Sequence, residues 1–128
     1  METMKGATKT RWDDQPLDHV NATFDRRLVT GEQITIAQVF LKQGGGAPKH
    51  SHVNEQFSYV IRGTLRFWIG DEEKLVDVQA GEILHLPSNL PHRAEALDDV
   101  LVIDTFSPPR WDWVNKTDAY LREDGKKK

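Results

Sequence analysis

The stretch "GGGAPKHSHVNEQFSYVIRGTLRFWIG", residues 44–70, decides how the rest of the chain is read. Three glycines lead into His50 and His52, and Gln56 follows four positions after His52. Residues i and i+2 of a strand point to the same face, so the two imidazoles can aim at a single point. Neutral imidazole suits Zn, Fe, Mn, Ni and Cu, and the pair therefore chooses no particular ion. Taken alone, His-x-His does not separate a metal site from two surface histidines. The remainder, "EQFSYVIR" (55–62) and "TLRFWIG" (64–70), is rich in β-branched and aromatic residues around a single Gly63. It predicts two strands joined by a tight hairpin.

The same pattern extends on both sides. "QITIAQVFLK" (33–42), "KLVDV" (74–78), "EILHLP" (82–87), "HRAEAL" (92–97) and "VLVIDTFS" (100–107) all read as strands, punctuated by Gly81, Pro87, Pro91 and "LDD". Helix is suggested only near the end, in "WDWV" and "KTDAYLRE". Many short, evenly spaced strands predict an all-β antiparallel sandwich or barrel.

Composition narrows the function classes. A chain of 128 residues is expected to form one domain. Seventeen Lys and Arg stand against 20 Asp and Glu, a net charge of −3, which argues against nucleic acid as a partner. The terminal "GKKK" reads as a solvated tail. With no cysteine, thiolate metal sites and a cysteine nucleophile are excluded. No segment approaches ~18 consecutive apolar residues, and "METMKGATKT" holds no apolar signal core, so a cytoplasmic protein with no membrane partner is expected.

With these residues in place, the sequence resembles the cupin superfamily. The first cupin motif (glycine, five residues, His-x-His, three or four residues, glutamate, six residues, glycine) is met by Gly44, His50, His52 and Gly63, with Gln56 in place of the glutamate. The second motif is met by Gly81, Pro87 and His92, with Asn89 replacing a glycine and Ala96 an asparagine. The resemblance implies a small jelly-roll-like antiparallel β-barrel over 21–114, an N-terminal extension (1–20) and a partly disordered C-terminal tail (115–128). It also implies one divalent transition metal, Mn, Ni, Zn or Fe, held by His50, His52, Gln56 and His92. An amide in place of the carboxylate leaves the site more electropositive, which favours an anionic substrate.

The closing strand adds a second layer. By strand parity Val100, Val102, Asp104 and Phe106 share one face, and an aspartate among apolar neighbours is costly unless paired or functional. The first motif, "PSNLPHRAEAL" and "DTFSPPR" together resemble the pectin degradation protein group of small cupins. That group promotes conversion of 4,5-unsaturated monouronates to linear keto forms. The resemblance implies Asp104 as general acid/base, Phe106 as a pocket residue and Arg110 as a clamp on the substrate carboxylate. Trp111-Asp112 departs from the acidic residue that commonly follows the arginine. The implied protein is a metal-dependent lyase or isomerase-type enzyme and a homodimer, acting on a small sugar acid. The alternatives are a non-haem dioxygenase and a non-catalytic metal- or sugar-binding module.

Two more histidines, His19 and His85, stand at positions that neither motif uses. His85 shares a face with Ile83 and is expected to be a core or interface residue rather than one supporting the site, and His19 is expected to be exposed. If Gln56 points inward, Ser58 and Val60 do too, leaving Phe57, Tyr59 and Ile61 for an outer cover or a dimer contact.

Overall fold

The computed structural model describes residues 2–4 and 6–124, with side chains over 6–122. A hairpin of β1 (Glu2–Met4) and β2 (Ala7–Lys9) precedes the main body. There follow β3 (Asp18–Asn21), β4 (Phe24–Thr30), β5 (Thr35–Leu41), β6 (Gly46–His50) and β7 (Glu55–Arg62). Then come β8 (Thr64–Ile69), β9 (Lys74–Gln79), β10 (Ile83–Leu86), β11 (His92–Ala96) and β12 (Val100–Ser107). Two short helices, α1 (Trp111–Val114) and α2 (Ala119–Asp124), end the described chain. One sheet has six strands in the order β10-β7-β12-β5-β4-β3, the other four in the order β6-β11-β8-β9. All pairings are antiparallel, and the fold is the all-β architecture expected.

Alternation along the strands builds the interior. On β7, Gln56, Ser58 and Val60 are buried while Phe57, Tyr59 and Ile61 are exposed. On β12 the buried set is Val100, Val102, Asp104 and Phe106. Val39 and Leu41 of β5, with Leu65 and Phe67 of β8, complete the apolar filling between the sheets. Truncating Phe67 to alanine in such packing costs about 3–5 kcal/mol. Toward one end of β7 and β12 the filling turns polar, at Gln56, Ser58 and Asp104.

Gly63 is not a hairpin turn. β7 pairs with β10 and β12, whereas β8 pairs with β9 and β11, so the chain crosses from one sheet to the other at Gly63. Its φ of +84° lies in the left-handed region, and a Cβ there would run into the carbonyl of Asp99. A tight connection between two strands is visible in sequence; the sheet each strand joins is not.

The segment expected to be a tail from residue 115 packs onto the barrel as far as the described residues reach. Asp118 and Leu121 are each 1% exposed. Arg26, buried on the inner face of β4, pairs through Nη1 with Asp118 at 2.6 Å and through Nη2 with Asp18 at 3.2 Å. Arg122 closes the cluster onto Asp18 at 2.7 Å and Asp118 at 3.1 Å. The Arg26 guanidinium also lies over the Trp113 ring at 4.3 Å. Residues 125–128, with the "KKK" run, lie outside the described residues. No helix among the described residues is long and apolar enough to cross a membrane.

Candidate metal centre

His50 is the last residue of β6 and His92 the first of β11, and the two are paired directly across the strands. His52 has already left the strand for the loop that follows, so strand parity is not what aims it. The loop is held instead by backbone: the N–H of Asn89 donates to the carbonyl of His52 at 2.7 Å. Asn89 has a φ of +65°, which a short polar side chain tolerates and which explains how it stands where the cupin motif has glycine.

The three rings converge. Their centroids are 4.4 Å (His50–His92), 5.1 Å (His52–His92) and 5.4 Å (His50–His52) apart. One nitrogen from each lies within 4.8 Å of the others. Each Nδ1 donates to a backbone carbonyl two residues away: Pro48 at 2.7 Å, Asn54 at 2.9 Å and Leu90 at 2.9 Å. This leaves every Nε2 as a lone-pair donor, the form a metal requires. Burial pushes His50 down to about 3, with repulsion from His92 adding to it. Burial likewise brings His52 to about 4, with Arg110 the next cause. His92 is lowered for the same first reason. Nε2 of His52 is buried with no hydrogen-bond partner among the described residues. Three neutral imidazoles facing one point, one of them orphaned, fit a divalent transition ion.

Gln56 is 6% exposed and lies opposite Phe106 of β12 and Leu86 of β10. Its Nε2 donates to Ser58 Oγ at 2.9 Å, and the Ser58 hydroxyl donates to Asp104 Oδ1 at 2.6 Å. With its N–H groups turned to Ser58, the amide has its carbonyl oxygen left over as a candidate ligand. Burial raises the Asp104 carboxyl to about 6, against the pull of Ser58, Arg110 and Gln56. Asp104 is thus an interior acid, as its alternation with Val102 and Phe106 requires.

Arg110 is 1% exposed, its guanidinium 4.7 Å from the Phe106 ring and 4.5 Å from the Trp113 ring. Nε and Nη2 each donate to Asp112 at 3.0 Å, and Nη2 also donates to the Tyr120 hydroxyl at 2.8 Å. One bidentate edge, the kind a substrate carboxylate would use, is therefore held by Asp112. The departure at Trp111-Asp112 acquires a physical meaning here, since Asp112 is the arginine's internal counter-ion. Among the described residues Nη1 has no hydrogen-bond partner.

His50, Gln56, Ser58, His92, Asp104 and Arg110 line one cavity of about 50 Å³, whose other walls are largely apolar. Tyr120 and Trp113 line it too, and neither was singled out by spacing or motif. The Tyr120 ring lies 5.0 Å from that of His50. The only local sign of this wall is the helical pattern of "KTDAYLRE". His85 and His19 stay away from the site: His85 is exposed, bonded to Glu55 at 2.6 Å and stacked on Phe57, and His19 bonds Asp25 at 2.6 Å.

Comparison with known proteins agrees with this geometry. Residues 37–106 match the cupin domain family, and the chain belongs to it. Oxalate decarboxylase OxdC of Bacillus subtilis (strain 168) is 33% identical over 89 residues, which are 64% of this chain but only 23% of that protein. Among solved structures, KdgF from Halomonas sp. superposes with a TM-score of 0.70 at 27% identity, covering 79% of this chain and 94% of that one. An RmlC-like cupin from Shewanella frigidimarina NCIMB 400 shares the fold with a TM-score of 0.75 at 21% identity, over 81% and 93% of the two chains.

Proposed function

We propose that this cupin is a metal-dependent enzyme of the lyase or isomerase type that converts an unsaturated uronate from its cyclic to its linear keto form. The carrying observation is the chain Gln56–Ser58–Asp104, which ends in a buried carboxyl beside the three-histidine cluster. A divalent ion (Mn, Ni, Zn or Fe) held by His50, His52, His92 and Gln56 would supply Lewis-acid stabilisation of enolate-like charge on the substrate. The remaining work falls to side chains.

Ser58 holds Oδ1 of Asp104, so Oδ2 is the oxygen left to exchange a proton with substrate. Without metal, burial brings this carboxyl to about 6, and a cation beside it would favour the carboxylate, the form that takes a proton from a ring hydroxyl and then returns it to carbon. Arg110 attracts the substrate carboxylate by charge and through Nη1, its other edge being committed to Asp112. Phe106 supports both, lying under the guanidinium and 6.0 Å from His52. The absence of an anionic residue among the four metal-holding groups keeps the pocket receptive to an acid. The resemblance to the pectin degradation protein group, and the likeness to KdgF, support the uronate as substrate.

The test is to mix metal-loaded protein with a 4,5-unsaturated monouronate and follow the ring-form signals by NMR. Faster loss than in buffer, equal with and without O₂ and abolished by Asp104→Asn, is the expected result. No acceleration rejects the activity, and a requirement for O₂ replaces it with dioxygenase chemistry.

The homodimer is part of the same proposal. Ile36, Phe57, Tyr59, Ile61 and Ile83 are all 37% or more exposed on the outer face of the six-stranded sheet, and a second copy would cover them. Sedimentation of Phe57→Ser/Ile61→Ser should then give a monomer; an unchanged mass would remove this face from consideration.

A further inference from the structure

Tyr120 stands at the cavity without any assigned role. Its ring covers His50, its hydroxyl takes a hydrogen bond from Arg110 at 2.8 Å, and it borders the same cavity as Asp104. The turn of α2 that presents it is fixed on both sides. Two residues before it, Asp118 is gripped by Arg26 at 2.6 Å, and two residues after it Arg122 pairs with Asp18 at 2.7 Å. The next residue, Leu121, is buried, and its carbonyl accepts from Asn21 Nδ2 at 2.9 Å. A hydroxyl so placed has little freedom to turn away from the cavity.

Size gives it a task. The cavity, about 50 Å³, has room for roughly three or four water molecules. A carboxylate fits such a space, whereas a pyranose ring exceeds it and extends through the open side of the cavity, past half-buried His50 and Tyr120. With Asp112 on one edge of Arg110, the hydroxyl on Nη2 belongs to the arginine's remaining polar surroundings. A substrate carboxylate approaching that guanidinium meets the Tyr120 O–H as a second donor.

We propose that Tyr120 contacts substrate and sets its size: the hydroxyl hydrogen-bonds the acid group bound beside Arg110, and the ring limits what extends past His50. This deepens the uronate reading and rests on it for the identity of the acid. Arg26, Asp18, Asp118 and Arg122 tie down the chain on either side of Tyr120.

The experiment titrates Mn²⁺-loaded wild type, Tyr120→Phe and Tyr120→Ala with galacturonate, digalacturonate and oxalate by calorimetry, with metal content and melting temperature recorded for each. Loss of one hydrogen bond to a charged group predicts roughly ten-fold weaker galacturonate binding by Tyr120→Phe, at unchanged metal content. Removing the ring in Tyr120→Ala should shift the ratio of affinities toward digalacturonate, which a general loosening of the fold would not do. Equal galacturonate affinity in wild type and Tyr120→Phe, with no shift in ratio, overturns the proposal and leaves the uronate reading standing. Binding of oxalate alone, weakened in Tyr120→Phe, keeps Tyr120 as a contact and removes the uronate. Wild type that binds none of the three acids overturns the proposal for Tyr120, while the uronate reading stands or falls on loss of the unsaturated ring form by NMR.

Discussion

On the β6–β11 side of the cavity, His50 and His92 face each other across neighbouring strands, and each ring is oriented by a carbonyl two residues away. On the α1–α2 side, Tyr120 accepts a hydrogen bond from Arg110 and stands two residues after Asp118, whose partner Arg26 lies 92 residues earlier in the chain. The first wall is local, made of short-range bonds that any correctly paired barrel would form. The second depends on a buried ionic cluster whose members are scattered over the sequence. Local walls can be read from spacing and are hard to dislodge; remote walls are invisible to spacing and fail together when one charge is lost.

Substitutions should separate the two walls. The largest effect belongs to the histidine side. His50→Ala and His92→Ala should each take bound metal from one ion per chain to none by elemental analysis, since two imidazoles and an amide are a poor site. Metal retained at wild-type level would show that the cluster is not the ligand set. Next comes Asp104→Asn, expected to lower turnover by about 10²–10⁴-fold with metal content unchanged. A wild-type rate would leave Asp104 as packing only.

Asp118→Ala attacks the remote wall. Removing one partner of a buried ion pair leaves Arg26 uncompensated and should cost about 3–5 kcal/mol in denaturant unfolding. Metal content should survive in the folded fraction, because each histidine's Nδ1 is held by a backbone carbonyl outside α2. If metal is lost as well, the two walls are not independent.

Acid should act on the histidine wall in metal-free protein. His50 and His52 are held at about 3 and 4, below the ordinary imidazole value of 6.5, so the fold resists their protonation. The stability they confer is present above pH 6.5 and is lost as pH falls from there through about 4 for His52 and about 3 for His50. Asp104 has the opposite sign: raised from 3.8 to about 6, it favours the fold below pH 3.8 and loses that contribution as pH rises through 6. Thermal unfolding of metal-free wild type and Asp104→Asn between pH 4 and 8 reads both. Wild-type stability that is flat over this range would contradict the buried, uncharged histidines. The smallest effect is at the surface, where His85→Ala breaks an exposed pair with Glu55 and should change unfolding by less than about 1 kcal/mol with no effect on metal.

Most of the barrel and the histidine wall were legible because their signals are periodic or fixed in spacing. Alternation on β7 and β12 grouped Gln56 with Ser58 and Asp104 with Phe106 on shared faces, and in the structure those faces are the buried ones. Asn89 could stand for glycine because its left-handed backbone, not its side chain, is what the turn before His92 needs. The misreadings share a cause. Gly63 announces a turn, but strand partners are chosen by packing far from it, and the chain changes sheets there. β6, "GAPKH", lacks strand-like residues and is held by pairing with β11. Arg110 lines the cavity, and its commitment to Asp112, which depends on the turn into α1, could not be read from spacing. Tyr120 and the Arg26–Asp118 pair carry no motif or spacing signal; the helical pattern of "KTDAYLRE" is the one local sign of that wall.

The most direct measurement is the rate of ring-form loss from a 4,5-unsaturated monouronate before and after metal is stripped by chelation and then restored. A metal-dependent enzyme should show acceleration by the loaded protein, loss of that acceleration on chelation and recovery with one equivalent of a divalent transition ion. Acceleration that survives complete metal removal, or none in the fully loaded protein, would contradict the proposed function.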